Sequence, residues 1–369
     1  MKKAVYIADL NLPSKRAYAV HVFKMCDNFS LNKFNVKLLV INEKAKTNYK
    51  KLKKDYLLRS RNNFSIYSIF KKKNYIGSFH RIFFGFKSAI YVKNHNADII
   101  LTRSIWSSIF MIFFKIKHIL EIHNTYNGIS GLIVKLFNLL NSKYVQNIIF
   151  ISTELSKLFS VDKKKIIILH DGVDIKNFKL DKIRYNFKPK NVCYVGSFYE
   201  GRGIDIIIYL SKKFKDINFN LYGDNNKFKN KTNGKNLKFN GYYKYKEIPK
   251  ILRKNDILLM PYKKIVSVDA GKLNTANYCS PLKLFEYLAA GKIIISSNLK
   301  GINEVLTHKK NALICKSFSK EGWGRIMKKI IKSEYEINKI RENALNTAKY
   351  YTWDNRVKKI MKIASIKKF

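Results

Sequence analysis

A single carboxylate, Glu286, stands in an otherwise apolar helical pattern, SPLKLFEYLAAGK from Ser280, which runs at once into KIIISS. Ser280 suits an N-cap, and Pro281 suits a first helical position, where no donor is needed. Leu284, Phe285, Leu288 and Ala289 recur at helical spacing, so that face packs inward. A helix N-terminus offers unpaired N–H groups and partial positive charge to an anion such as a diphosphate. A carboxylate one or two turns further on can accept hydrogen bonds from a ribose diol. The competing reading is an ordinary amphipathic helix with a solvated glutamate. A second candidate is Arg202, in the glycine-rich stretch GSFYEGRGID, where a fixed guanidinium can neutralise a diphosphate leaving group. Gly196 would give that stretch its tight turn, although such loops are often plain connections.

The elements that would position these groups alternate between strand and helix patterns. In the first half, residues 4–10, 35–42, 97–104, 118–124 and 147–153 are short apolar runs that read as strands. Helical spacing occurs at 19–31, 107–115 and 132–140. Residues 177–191 form a polar run that reads as a linker. A second series follows, with strands at 191–197, 218–223, 236–241, 256–262 and 292–297. Its helices fall at 205–214, 246–254 and after Ser280, and a basic helix closes the chain around 354–362. Strand–helix alternation predicts an α/β protein with doubly wound, largely parallel sheets, whose binding residues sit at the carboxyl ends of strands.

The 369 residues suggest two domains, and no apolar run is long enough to predict a transmembrane helix. The start, MKKAVYIADL, reads as a first buried strand and not as a signal peptide. Four widely spaced cysteines fit reduced thiols in a cytoplasmic protein. The net charge of +48 is spread over both halves, which argues against one nucleic-acid patch. Residues 44–93 exceed the average, with 14 basic residues against one acid. Read as a basic insertion interleaved with aromatics, this region predicts attraction to an anionic membrane surface, the alternative being solvated surface lysines.

Taken together, YIADLNLPSKRAYAVHVFKMCDNF, ADIILTR, EIHN, IIFIST, HDGVD, YVGSFYEGRGID, NGYY, SPLKLFEYLAAGK and YTWDNRVKKI resemble the retaining glycosyltransferases of the GT-B fold, in the large family usually numbered four (group 1 type). The resemblance spans nearly the whole chain. It implies two Rossmann-like domains facing a central cleft: an acceptor-binding domain over 1–180, a nucleotide-sugar-binding domain over 188–350, and a terminal helix over 351–369 packing back toward the first domain. It assigns Glu286 to the ribose hydroxyls and the backbone amides of Leu282 and Lys283 to the diphosphate. Arg202 would face the donor phosphates. His123 would lie near the donor sugar, against the plainer reading of a satisfied core histidine. Gly241 and Tyr242 fall where the family's chain passes the base, with packing the simpler role for Tyr242. Gly196 and Ser197 form the phosphate loop.

Two departures stand out. The first acid of the family's E-x7-E pattern is replaced by Tyr278, and the first basic residue of the phosphate loop by Ser197. The Lys283 side chain is a candidate for the missing cation, and weakened activity is the other consequence these losses could have. The glycine pair usual after the first strand is also replaced, by NLPSKRAY. The expected chemistry is transfer of a sugar with retention, from a nucleotide donor to a glycan or lipid-linked acceptor in cell-surface polysaccharide or glycolipid synthesis. No metal and no cofactor beyond the donor is expected, and the protein is expected in the cytoplasm, peripheral on the inner membrane face. A GT-B nucleotide-sugar epimerase would need several more acids and histidines. A nucleic-acid-binding protein would need a localised charge stripe.

Overall fold

The computed structural model describes the chain except residues 44–48, 61, 71–76, 127, 180–187, 225–233, 269–272 and 367–369. Most of the polar run at 177–191 therefore lies outside the described residues, as do Lys71, Lys72 and Lys73. The chain forms two compact units. One comprises residues 1–170 with 353–369, and the other residues 171–352.

The first unit contains β1 (Lys3–Leu12), α1 (Ala17–Leu31), β2 (Asn35–Glu43), α2 (Tyr49–Tyr56), β3 (Phe64–Phe70), α3 (Ser78–Asn94), β4 (Ile99–Thr102) and α4 (Ile105–Phe113). It continues with β5 (His118–Ile122), α5 (Gly128–Leu136), β6 (Val145–Phe150), α6 (Thr153–Ser156) and β7 (Ile166–Ile168). Its seven strands lie in the order β3-β2-β1-β4-β5-β6-β7, every pairing parallel. Residues 44–93 are thus no insertion. They supply the edge strand β3, which pairs with β2, and the helix α3 that leads on to β4. The apolar signal of β3 is faint because only Phe64 of its seven residues is fully buried. On α3, Phe84, Ala89 and Val92 bury against Val5, Ile7, Leu39 and Ile41 of the sheet.

The second unit contains β8 (Asn191–Val195), α7 (Ile204–Lys213), β9 (Asn218–Tyr222), β10 (Leu237–Phe239), α8 (Ile248–Arg253) and β11 (Ile257–Met260). A short antiparallel pair follows, β12 (Ser267–Val268) with β13 (Leu273–Asn274). Then come α9 (Leu282–Ala290), β14 (Ile293–Ser297), α10 (Lys300–Asn303), β15 (Leu313–Cys315), α11 (Lys320–Ile331) and α12 (Ile337–Tyr350). The last helix, α13 (Trp353–Ile366), belongs to the first unit.

Six parallel strands form the second sheet, in the order β10-β9-β8-β11-β14-β15. Its inner strands are apolar on both faces, as a parallel sheet covered by helices requires. Leu258, Met260 and Ile294 pack with Leu284, Phe285 and Leu288 of α9, and with Ala344 and Ala348 of α12. Their neighbours Ile257, Leu259, Ile293 and Ile295 point the other way, to Ile206, Ile207 and Leu210 of α7 and to Trp323 and Met327 of α11. Consecutive residues feed opposite cores, which makes the sheet doubly wound. Strand order reverses between β8 and β11, and a ligand crevice belongs at the carboxyl ends of such a pair.

Candidate functional site

The carboxyl end of β8 runs directly into Gly196, whose φ of +144° belongs to the range that favours glycine. A Cβ there would lie 2.5 Å from Lys283 Nζ, so the lysine ammonium rests against the bare glycine. Ser197 follows, and its carbonyl accepts a 2.8 Å hydrogen bond from the Tyr194 hydroxyl. At Gly203, the N-cap of α7, φ is +70°, and a Cβ would overlap the Pro261 carbonyl at 1.7 Å. The start of α7 is therefore pressed onto the end of β11, and Arg202 is fixed between them. The Lys263 amide adds a 2.9 Å hydrogen bond to the Gly201 carbonyl.

Arg202 and Lys283 converge on the same aromatic floor. The guanidinium of Arg202 lies 4.8 Å from the centre of the Tyr262 ring. Lys283 Nζ lies 3.9 Å from the Tyr194 ring centre and 5.4 Å from that of Tyr262. Burial of the ammonium, reinforced by the Arg202 charge, pushes the Lys283 pKa well below the usual lysine value, against a smaller opposing effect of Glu286. Two cations crowded over aromatic rings gain strongly from an arriving anion, because each is already stripped of part of its hydration.

Helix α9 begins one residue later than the sequence suggests. Pro281, in an extended conformation, occupies the N-cap position, Leu282 is the first helical residue, and Ser280 is not the cap. The Pro281 carbonyl accepts the first-turn bond from the Leu284 amide at 2.9 Å, while the N–H groups of Leu282 and Lys283 belong to the free first turn. The Tyr287 hydroxyl accepts the Val195 amide at 2.9 Å, locking α9 to the tip of β8. Glu286 is 5% exposed, so it is not the solvated glutamate of the competing reading. Its charge helps push up the Tyr245 phenol, after burial, the largest cause.

Gly196, Ser197, Arg202, Leu282, Lys283 and Glu286 are therefore gathered at the carboxyl edge of the second sheet. Gly241 and Tyr242 follow β10 at the same edge; the Gly241 carbonyl accepts the Gly223 amide at 2.8 Å, and the Tyr242 ring is 45% exposed. Tyr278, at the place of the missing acid, is buried. The rings of Tyr194 and Tyr262 escape sequence reasoning, because a tyrosine in an apolar strand looks like core.

His123 lies in the first unit, just past β5. Its Nε2 is 2.9 Å from Oε1 of Glu121, a buried carboxylate of β5. Burial lowers the His123 pKa to about 3, with Arg103 adding to the effect and Glu121 opposing it, so the ring is neutral near pH 7.

Residues 176–347 match the family described as Glycosyl transferases group 1. An uncharacterised glycosyltransferase of Methanocaldococcus jannaschii is 26% identical over 55% of this chain. The match spans about half of that relative, 53% of its length. A glycosyltransferase structure from Rickettsia africae superposes with a TM-score of 0.76 at 14% identity, covering 100% of both chains. Anabaena HepE in complex with UDP-glucose gives 0.71 at 14% identity, covering 99% of this chain and 100% of that one. WaaG, a glycosyltransferase involved in lipopolysaccharide biosynthesis, gives 0.66 at 12% identity, covering 98% and 99%. The fold is that of the GT-B glycosyltransferases.

Proposed function

We propose that the chain transfers a sugar with retention from a nucleoside-diphosphate sugar to a glycan or lipid-linked acceptor, in the synthesis of a cell-surface polysaccharide or glycolipid. The observation that carries this reading is the placement of Lys283 Nζ against Gly196, beside Arg202 and at the first turn of α9. Position 197, next to that glycine, lacks the family's cation, and Lys283 brings one to the same spot. Glu286, one turn further along α9, takes the ribose hydroxyls. The solved complexes of HepE with UDP and UDP-glucose support a UDP-sugar as the first donor to try. WaaG supports an acceptor of the lipopolysaccharide type.

In this reading the anomeric carbon–oxygen bond to the diphosphate breaks as the acceptor oxygen bonds to the same face of the sugar. The acceptor proton passes to the departing phosphate oxygen. Arg202, Lys283 and the α9 N-terminus stabilise the charge that grows on the phosphate, and no metal or further cofactor takes part. The test is product formation from UDP-, GDP-, ADP- and CDP-sugars with EDTA present, the anomeric configuration being read by NMR. One donor should be used with retention; an inverted product, or dependence on added metal, would overturn this mechanism.

A peripheral position on the inner face of the cytoplasmic membrane belongs to the same reading. Among the described residues no helix is long and apolar enough to cross a membrane. Phe79, Phe83 and Phe86 of α3 are exposed, the first at 76%, and Phe113 at the end of α4 is 77% exposed. Arg81, Lys87 and Lys93 share α3 with them. Apolar rings among cations suit the interface of an anionic bilayer. Vesicle binding should need anionic lipid, weaken as salt rises, and fall in Phe79→Ser/Phe83→Ser/Arg81→Glu. Equal binding to neutral vesicles would reduce the charge to compositional drift.

A further inference from the structure

Outside the matched residues, the first unit holds a buried carboxylate that the proposed chemistry has not used. Glu121 sits in β5, an inner strand otherwise apolar beyond its first residue, and side chains from β1, α1, α13 and the residue after β5 converge on it. The Tyr6 hydroxyl of β1 donates to Oε2 at 2.8 Å. His21 Nε2 of α1 lies 3.0 Å from Oε1 and His123 Nε2 2.9 Å from it. Arg356 of α13 donates to Oε1 through Nη2 and to the Leu169 and His170 carbonyls through Nη1. The imidazoles of His21 and His123 meet edge to face at 4.8 Å, and His21 meets the buried Trp353 ring at 5.1 Å in the same way.

Stability does not explain this arrangement, since apolar residues in place of a buried ion pair are often neutral or stabilising. Geometry offers a reason. Burial would raise the Glu121 pKa, but His21, Arg356 and His123 together hold it well below the usual carboxylate value, so it accepts and does not donate. A histidine facing it through Nε2 must then carry its proton there. In a neutral ring the other nitrogen is left as an acceptor.

We infer that Glu121, clamped by Arg356, Tyr6 and His21, is a positioning residue that fixes His123 as the Nε2–H tautomer and leaves Nδ1 to accept a hydrogen bond from a substrate hydroxyl. The inference rests on the proposed function in one respect, that the chain is a sugar transferase whose substrate reaches His123. It gives the terminal helix a function, because Arg356 carries the charge that keeps Glu121 ionised. A protonated or unpaired Glu121 would leave His123 free to exchange tautomers.

The test is nitrogen NMR on histidine-labelled protein, with His123 assigned by its loss in His123→Ala. In the native protein His123 should carry its proton on Nε2 alone. Glu121→Gln should populate the Nδ1–H form and lower transfer by roughly 10- to 100-fold, the range seen when the partner orienting a histidine ligand is removed. In a His123→Ala background the same change should cost less than about 2-fold further, since Glu121 acts through that ring. Glu121→Gln leaves Arg356 buried without its counter-charge, so Glu121→Gln/Arg356→Met, which removes both charges, should show the same tautomer change if the single variant unfolds. A native Nδ1–H tautomer, an unchanged tautomer in both variants, or an equal loss of transfer in the His123→Ala background would overturn the inference. Failure to bind any nucleoside diphosphate would sink the proposed function, while the tautomer would still decide the role of Glu121.

Discussion

Replacing Arg202 and Lys283 together with alanine should lower sugar transfer by more than about 1,000-fold, with each single change costing about 100-fold. Phosphate charge would grow as the glycosidic bond breaks, and both cations stand at the carboxyl edge of the second sheet. The effects should not simply multiply, because both side chains lie over the Tyr262 ring and each shifts the field at the other. Ser197→Arg should partly restore Lys283→Ala, since it returns a cation to the neighbouring position. Thermal unfolding should change little by comparison.

If Lys283 meets the donor diphosphate as proposed, donor binding should depend on pH with a definite sign. Burial and the Arg202 charge hold its pKa well below the ordinary lysine value, while a bound diphosphate favours the ammonium and raises it. Binding should therefore take up a proton where the free lysine is neutral, and affinity should fall as pH rises through the lowered value. Calorimetry in buffers of different ionisation enthalpy reads that proton. In Lys283→Ala the uptake should vanish, and its persistence would move the titrating group elsewhere.

The second large effect belongs to Glu286. Glu286→Gln should weaken donor binding by about 2–4 kcal/mol, roughly 30- to 700-fold, because charge-assisted hydrogen bonds to the ribose become neutral ones or are lost. Glutamine is the cleaner change, since Glu286 is only 5% exposed and alanine would also open a small cavity. The nucleobase-free sugar phosphate should be bound equally by both proteins, which separates loss of the ribose contact from a general collapse of α9.

How far the sequence carries these conclusions differs from residue to residue. Inner parallel strands such as IIISS and ILLM announce themselves, because both faces are buried and every residue must be apolar. The edge strand β3 does not, since FSIYSIF is mostly half-exposed and lies within a lysine-rich stretch that reads as an insertion. Short β7 and β15, three residues each, fall below any periodicity. Helix boundaries are settled by backbone geometry, which is how Pro281 displaces Ser280 as the N-cap of α9.

Among site residues, Glu286 is legible because charge is costly beside an apolar stripe, Arg202 because a cation stands in a glycine-rich loop, and Lys283 only through the family resemblance. Tyr194 and Tyr262 are invisible, since their rings serve as core and as a floor for cations at once. Glu121 carried a signal: a carboxylate in the inner strand HILEI needs a buried counter-charge. Its partner Arg356 lies 235 positions away, a pairing that only the folded chain reveals.

The carboxyl edge of the second sheet is proposed to bind a nucleoside diphosphate through Arg202, Lys283 and Glu286. Titration calorimetry of UDP, GDP, ADP and CDP into the native protein, Glu286→Gln and Arg202→Ala/Lys283→Ala tests it most directly. One of these should bind saturably to the native chain, at least about 30-fold more weakly to Glu286→Gln, and not detectably to the double variant. Native-like affinity in both variants, or no binding of any of the four to the folded native protein, would contradict it.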